Sequence, residues 1–221
     1  MSQSDSFIDE VTEEVRKDRL FGLMRRYGWI AVLIVLLMVG GAAYFEWNKA
    51  QDRRAAQELG DAVLAALQLG DETRRTEALA AIDAPNPSSQ AMIDLLVAAE
   101  LSETNPREAA QRLLLLADSN EAGQVYRQIA TLKATALSGA GLSEDERRSR
   151  LDGLALSQGL TRLLAEEQLA LIDIETGQTS AALERLTGIV EDEQATSALI
   201  RRASQMIVVL GGTLPGARDG A

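Results

Sequence analysis

Residues 29–45, WIAVLIVLLMVGGAAYF, contain no charged or strongly polar side chain, and this run constrains the chain more than any other feature. Seventeen residues at a helical rise of 1.5 Å reach roughly 26 Å, and adding Tyr27, Gly28, Glu46 and Trp47 brings the segment to bilayer thickness. Nine of the seventeen are Ile, Val, Leu or Phe, which favours insertion as a membrane helix by about 3 to 5 kcal/mol before small-residue penalties. Tyr27, Trp29, Tyr44 and Trp47 stand at the two ends, where interfacial aromatics belong.

A cleaved signal peptide would begin near residue 1 with a short basic segment. Here 26 residues precede the block, six of them acidic, and Tyr44-Phe45-Glu46-Trp47 offers no small-residue cleavage site. The block is therefore expected to be an uncleaved transmembrane helix over 27–47. Orientation follows flanking Lys and Arg. Arg16, Lys17, Arg19, Arg25 and Arg26 precede the span, and Lys49, Arg53 and Arg54 follow it. With Arg25 and Arg26 directly against the apolar run, the bias predicts a cytoplasmic N-terminus and a region beyond 47 outside the cytoplasm. Gly40-Gly41-Ala42-Ala43 lacks the spaced G-x-x-x-G of a helix-pairing face and reads better as tolerated flexibility.

Residues 1–26 predict an amphipathic helix. Phe7, Val11 and Val15 recur every fourth position opposite Asp9, Glu10, Glu13, Glu14 and Lys17. It would either dock a cytoplasmic partner or lie on the membrane or on its own copy.

Beyond the span the pattern is helical throughout. Leu59, Val63, Ala66 and Leu67 extend a helix from the anchor to near Leu69, and Gly70-Asp71 ends it, with Asp71 placed to cap a short helix finishing before Pro85. Asn86-Pro87 and Asn105-Pro106 each pair an N-cap with proline at the first helical position, and Ser143 to Glu146 form a capping box. No alternating stretch bounded by turns demands a strand. The helices come in pairs. Aligning Ala98 with Ala170 and Ala110 with Ala182 gives the same offset of 72 residues, about two units of a roughly 34-residue repeat. Small side chains on both helices of a pair permit close approach across a tight turn, and neighbours such as Leu114, Leu169 and Leu186 fill the grooves beside them.

These features resemble the tetratricopeptide repeat, with Leu169-Ala170, Gly177, Ala182 and Leu186 at its first-helix, turn and second-helix positions. The pattern is degenerate: Asp173, or Leu101 in the earlier pair, stands where an aromatic is expected. A middle pair over 126–156, carrying Arg147, Arg148 and Arg150, matches poorly. The whole layout resembles the family of ancillary subunits of the SecYEG translocon, the YfgM-like tetratricopeptide-repeat-like proteins, in its alphaproteobacterial branch. The stretches that carry this likeness are FIDEVTEEVRKDRLFGLMRRYGW, AEEQLALIDIETGQ and LIRRASQMIVVLGG. The resemblance covers nearly the full chain except the tail from Gly211 on, and implies an all-α protein of the bacterial inner membrane, with a cytoplasmic segment over 1–26, the span over 27–47 and a periplasmic degenerate helical-hairpin solenoid over 48–210; the tail over 211–221, GGTLPGARDGA, ends the last helix and is expected to be flexible. The resemblance also implies a non-enzymatic protein-binding role, in which Sec translocon subunits, periplasmic chaperones and exported client proteins are the partners.

Composition narrows the alternatives. The chain has no Cys and no His, which removes disulfides, thiolate chemistry and the commonest general base and metal ligand. Aromatics make up 4% and the net charge is −11, which opposes base stacking and phosphate neutralisation, so no nucleic acid is expected as a partner. Residues 48–221 carry 17 basic and 26 acidic side chains, a surplus that suits solubility and basic clients equally. Glu166-Glu167 and Glu191-Asp192-Glu193 read as solvated helix faces, and Arg74-Arg75 and Arg201-Arg202 as surface charges pairing with nearby acids. Residues 138–143, SGAGLS, read as a loop between helices. No catalytic, cofactor or metal site is expected. The alternative reading is an accessory structural subunit of another inner-membrane complex.

Overall fold

A computed structural model describes the backbone over residues 4–215, with side chains described from Trp29 onward apart from Ala31, Val32 and the last six residues. The protein is all-α. The described residues form α1 (Ser4–Leu67), α2 (Glu72–Ala80), α3 (Pro87–Thr104), α4 (Pro106–Ala117), α5 (Gln124–Ala136), α6 (Glu144–Ala155), α7 (Leu160–Glu175), α8 (Thr179–Glu191) and α9 (Ser197–Val209), with no strand among them. The chain divides into two compact units, Met1–Glu58 and Leu59–Ala221.

In the first unit every described side chain from Leu33 to Val39 is exposed, as are Trp29, Tyr44 and Trp47. The Tyr44 and Trp47 rings sit 6.4 Å apart and tilted by 40°. Among the described residues no helix is long and apolar enough to cross a membrane. Tyr27, Gly28, Ala31 and Val32 of the apolar block, the flanking Arg25 and Arg26, and the amphipathic face expected over 1–26 lie outside the described side chains.

Helix starts in the second unit follow from their caps. The Asn86 side chain accepts the Ser89 N–H at 2.9 Å and Asn105 accepts that of Glu108 at 3.3 Å, each with proline at the first helical position. Ser143 accepts from Glu146 at 3.2 Å and Asp71 from Arg74 at 2.9 Å. The carbonyl of the cap already belongs to the helix, so its side chain satisfies one of the otherwise orphaned donors. Asn86→Ala is expected to lower stability by about 1 kcal/mol in urea titration, with the slope unchanged. Thr196, which opens α9 by accepting the Leu199 N–H at 3.3 Å, is a cap the sequence reading missed.

Helix ends repeat as well. In α7 the Gln178 N–H donates to the Asp173 carbonyl at 2.7 Å and Gly177 to Ile174 at 3.1 Å. In α9 Gly212 donates to Ile207 at 2.9 Å and Gly211 to Val208 at 3.0 Å. Both are the paired carbonyl-capping bonds that need a left-handed residue after the helix, and Gly177 (φ 74°) and Gly211 (φ 77°) supply it. The two glycines stand 34 residues apart.

Consecutive helices from α2 to α9 pack on one another, and α3 also touches α5 and α5 touches α7. The apolar interior is divided along this row. One cluster joins Ala66, Leu79, Ile93, Val97, Leu113 and Ala130, spanning the end of α1 to α5. A second joins Leu151 of α6 to Ala165, Leu169 and Ile172 of α7. A third joins Leu163 and Ala170 of α7 to Leu186, Leu199 and Ile207 on α8 and α9. Each cluster is built by near neighbours in sequence, as in arrays whose stability sums local interfaces.

Two boundaries differ from the sequence reading. α1 ends at Leu67, because the Leu69 N–H donates to the Ala66 carbonyl and tightens the last turn before Gly70. The first part of the tail, 211–215, lies against the fold, with Leu214 packed on the third cluster and Gly212 beside Leu183 and Ile207. A Cβ at residue 212 would stand 2.6 Å from Leu183 Cδ2 and 2.9 Å from Ile207 Cγ2, so a larger residue there would have to push those side chains aside. The remainder of the tail lies outside the described residues.

Candidate functional site

The small residues singled out in sequence are placed as follows. Ala98, Ala110, Ala170 and Ala182 are buried, as are Leu169 and Leu186, while Leu114 is half-buried against the first cluster. Gly177 forms the left-handed turn between α7 and α8.

Of the two acidic clusters expected as solvated faces, Glu191 and Glu193 are exposed, whereas Glu167 is buried on the side of α7 facing α9. Asp173 is 1% exposed. Asp173 accepts from Arg148 Nη1 of α6 at 2.6 Å and from Arg185 Nε of α8 at 3.0 Å. Arg148 also reaches Glu144 at 2.8 Å and Arg185 reaches Glu166 at 2.6 Å. The chain of charges Glu144–Arg148–Asp173–Arg185–Glu166 therefore ties three consecutive helices, with its one enclosed carboxylate at the middle. Glu167 takes a two-pronged contact from Arg202 of α9, at 2.8 and 2.7 Å. Such fork-to-fork geometry gives direction as well as energy. Smaller clasps complete the row: Arg75 to Glu100 at 2.8 Å, Arg147 to Glu175 at 2.8 Å and Arg150 to Asp118 at 3.1 Å. Between α5 and α7 the seam is uncharged, with Gln168 Nε2 donating to the Leu132 carbonyl at 3.0 Å and the Thr135 hydroxyl 2.7 Å from Gln168 Oε1.

The electrostatics follow the partners. The hydrogen bond to Glu144, then that to Asp173, holds the Arg148 guanidinium above its ordinary range. Contact with Glu167 does the same for Arg202. Asp192 is held below the usual carboxylate range, first by Arg162, 2.5 Å away, and then by the Gln194 N–H. A lowered folded-state value means that Asp192 contributes stability above the ordinary carboxylate range and loses it as pH falls through the lowered value. With no His in the chain, no side chain of ordinary pKa changes charge between pH 5 and 8. The melting temperature is therefore expected to be flat across that interval and to drop below about pH 4, measured by circular dichroism.

Beyond the Glu167–Arg202 pair, toward the C-terminal ends of α7 and α9, lies an open groove of about 490 Å³. Leu171, Ile174, Met206, Val209 and Leu210 give it apolar walls, and Gln205 adds one amide. Leu171 and Val209 are 40% and 85% exposed. Among the described residues no group of three or more carboxylates is placed to share a metal ion.

The fold and these surfaces define an all-α protein with serially packed helices, an arginine–carboxylate lattice between them and an apolar groove near its C-terminal end. No protein-family model, no curated protein and no solved structure matches the chain.

Proposed function

We propose that this protein is a single-pass inner-membrane scaffold whose helical-hairpin array binds other proteins outside the cytoplasm, as a non-enzymatic ancillary subunit of the Sec translocon that assists exported proteins together with periplasmic chaperones. The observation that carries the binding role is the groove between α7 and α9, where Leu171, Ile174, Met206, Val209 and Leu210 gather into one open apolar surface, whereas exposed apolar residues on other helices, such as Leu115 and Val125, stand outside it. A degenerate tetratricopeptide-like solenoid is supported by the serial packing of α3 to α9, by buried Ala98, Ala110, Ala170 and Ala182, and by the 34-residue spacing of Gly177 and Gly211. The membrane anchor rests on the apolar run over 29–45 with its aromatic ends, and the orientation on the arginines before it. The placement at the translocon rests on the resemblance of the whole layout.

Two measurements test this reading. Protease added to intact spheroplasts should digest the region after Trp47 and spare the N-terminal segment; the reverse pattern would remove both orientation and export role. Crosslinking in native membranes should recover translocon subunits and folding factors in the same adducts. Recovery in fixed stoichiometry with an unrelated membrane complex would make the protein a structural subunit of that complex instead.

A further inference from the structure

We propose that the α7–α9 groove receives an amphipathic helix of net positive charge from a partner protein, an inference that rests on the binding role above and specifies its ligand. Three observations argue for that occupant.

The first is where the groove opens. The earlier odd-numbered helices meet directly, α3 on α5 and α5 on α7, whereas α7 and α9 are linked by Arg202 and Glu167 and through the third cluster, and the described residues leave the space beyond that pair unfilled. The two-pronged pair ties the two walls together at one end of the groove.

The second is the chemistry of the walls. Both are helices whose backbone groups are already paired within the helix, so they offer no ladder to an extended strand. A segment entering an apolar groove without such a ladder must satisfy its own N–H and C=O groups, and a helix does so. From Glu167 to Ile174 is about two turns, or roughly 10 Å of axis, which suits apolar anchors at positions i, i+3 or i+4, and i+7.

The third is charge. Residues 48–221 hold nine more acidic than basic side chains, and eight arginines between Arg75 and Arg202 are already bound to carboxylates. The remaining field attracts a positively charged partner and speeds its encounter.

The test uses the full chain in nanodiscs of zwitterionic lipid, with empty nanodiscs as the blank. The probe is a fluorescent Leu/Lys amphipathic peptide of about five helical turns, read by anisotropy. It should bind, weaken as salt rises, and weaken by roughly tenfold in Val209→Asp and in Leu171→Asp, while Leu115→Asp on α4 leaves it unchanged. Val209 is exposed enough that its replacement cannot disturb the core. Four results would each overturn the proposal: no binding of the Leu/Lys peptide, equal binding of a peptide of the same composition interrupted by proline, equal binding of a Leu/Glu peptide, or binding indifferent to Val209→Asp. Self-association abolished by Val209→Asp would assign the groove to a second copy and overturn it too. Native-membrane adducts that persist in Val209→Asp would keep the scaffold reading and discard the groove, so the two failures are distinguishable.

Discussion

Asp173→Ala should lower the stability of the helical unit by about 3 to 5 kcal/mol, the cost of removing one partner from a buried ion cluster. Its carboxylate is almost fully enclosed and receives two guanidinium groups from different helices, at 2.6 and 3.0 Å. Deleting it leaves Arg148 and Arg185 facing each other across α7, each with a single carboxylate, Glu144 or Glu166. Glu144→Ala removes an exposed end of the same network and should change stability by no more than about 0.5 kcal/mol. Urea titration followed at 222 nm measures both. Equal losses for the two variants would mean that the network acts as surface charge, contrary to the burial of its centre. Asp173→Asn should fall between them, since the amide keeps one acceptor but no charge.

The second large effect is expected at Leu151. The helix α6 is rich in charge, EDERRSRLDGLA, and Leu151 is its one fully buried side chain. It enters the middle cluster against Ala165, Leu169 and Ile172. Leu151→Ala should cost about 2 to 5 kcal/mol through lost transfer energy and the cavity left behind. The distribution of the damage is the sharper outcome. Amide exchange should accelerate in α6 and the facing part of α7, while the amides of α3 and α4, which belong to another cluster, keep most of their protection. Uniform acceleration from α2 to α9 would show that the unit opens as a whole.

Much of the helical architecture is legible in the sequence because its signals are local. Asn86, Asn105, Ser143 and Asp71 each announce a helix start through a hydrogen bond three residues long, and the period of the apolar residues sets the helices between them. The small residues at 98, 110, 170 and 182 are readable because close approach of two helices demands them. The ion network is not, since its partners lie far apart: Arg202 and Glu167 are 35 residues distant, and Arg148 and Asp173 are 25. One sign was nevertheless present. Asp173 falls on the stripe that carries Leu169 and Ala170, so a carboxylate there had to be either solvated by a gap in the core or neutralised by cations from neighbouring helices. The groove was equally hidden, because Leu171 and Ile174 continue the α7 pattern like core residues, and only the placement of α9 leaves them uncovered.

The division of the interior into three clusters bears on how the chain would respond to damage. A protein with one shared core loses everything when an end is removed. Here the first cluster closes between the end of α1 and α5, so a chain clipped in the turn after α6 would still own a finished interior at its beginning and a raw face at its end. Proteolysis should therefore shorten the array in steps, leaving folded stubs of discrete size, and a lineage could gain or lose a helical hairpin without redesigning the ones before it.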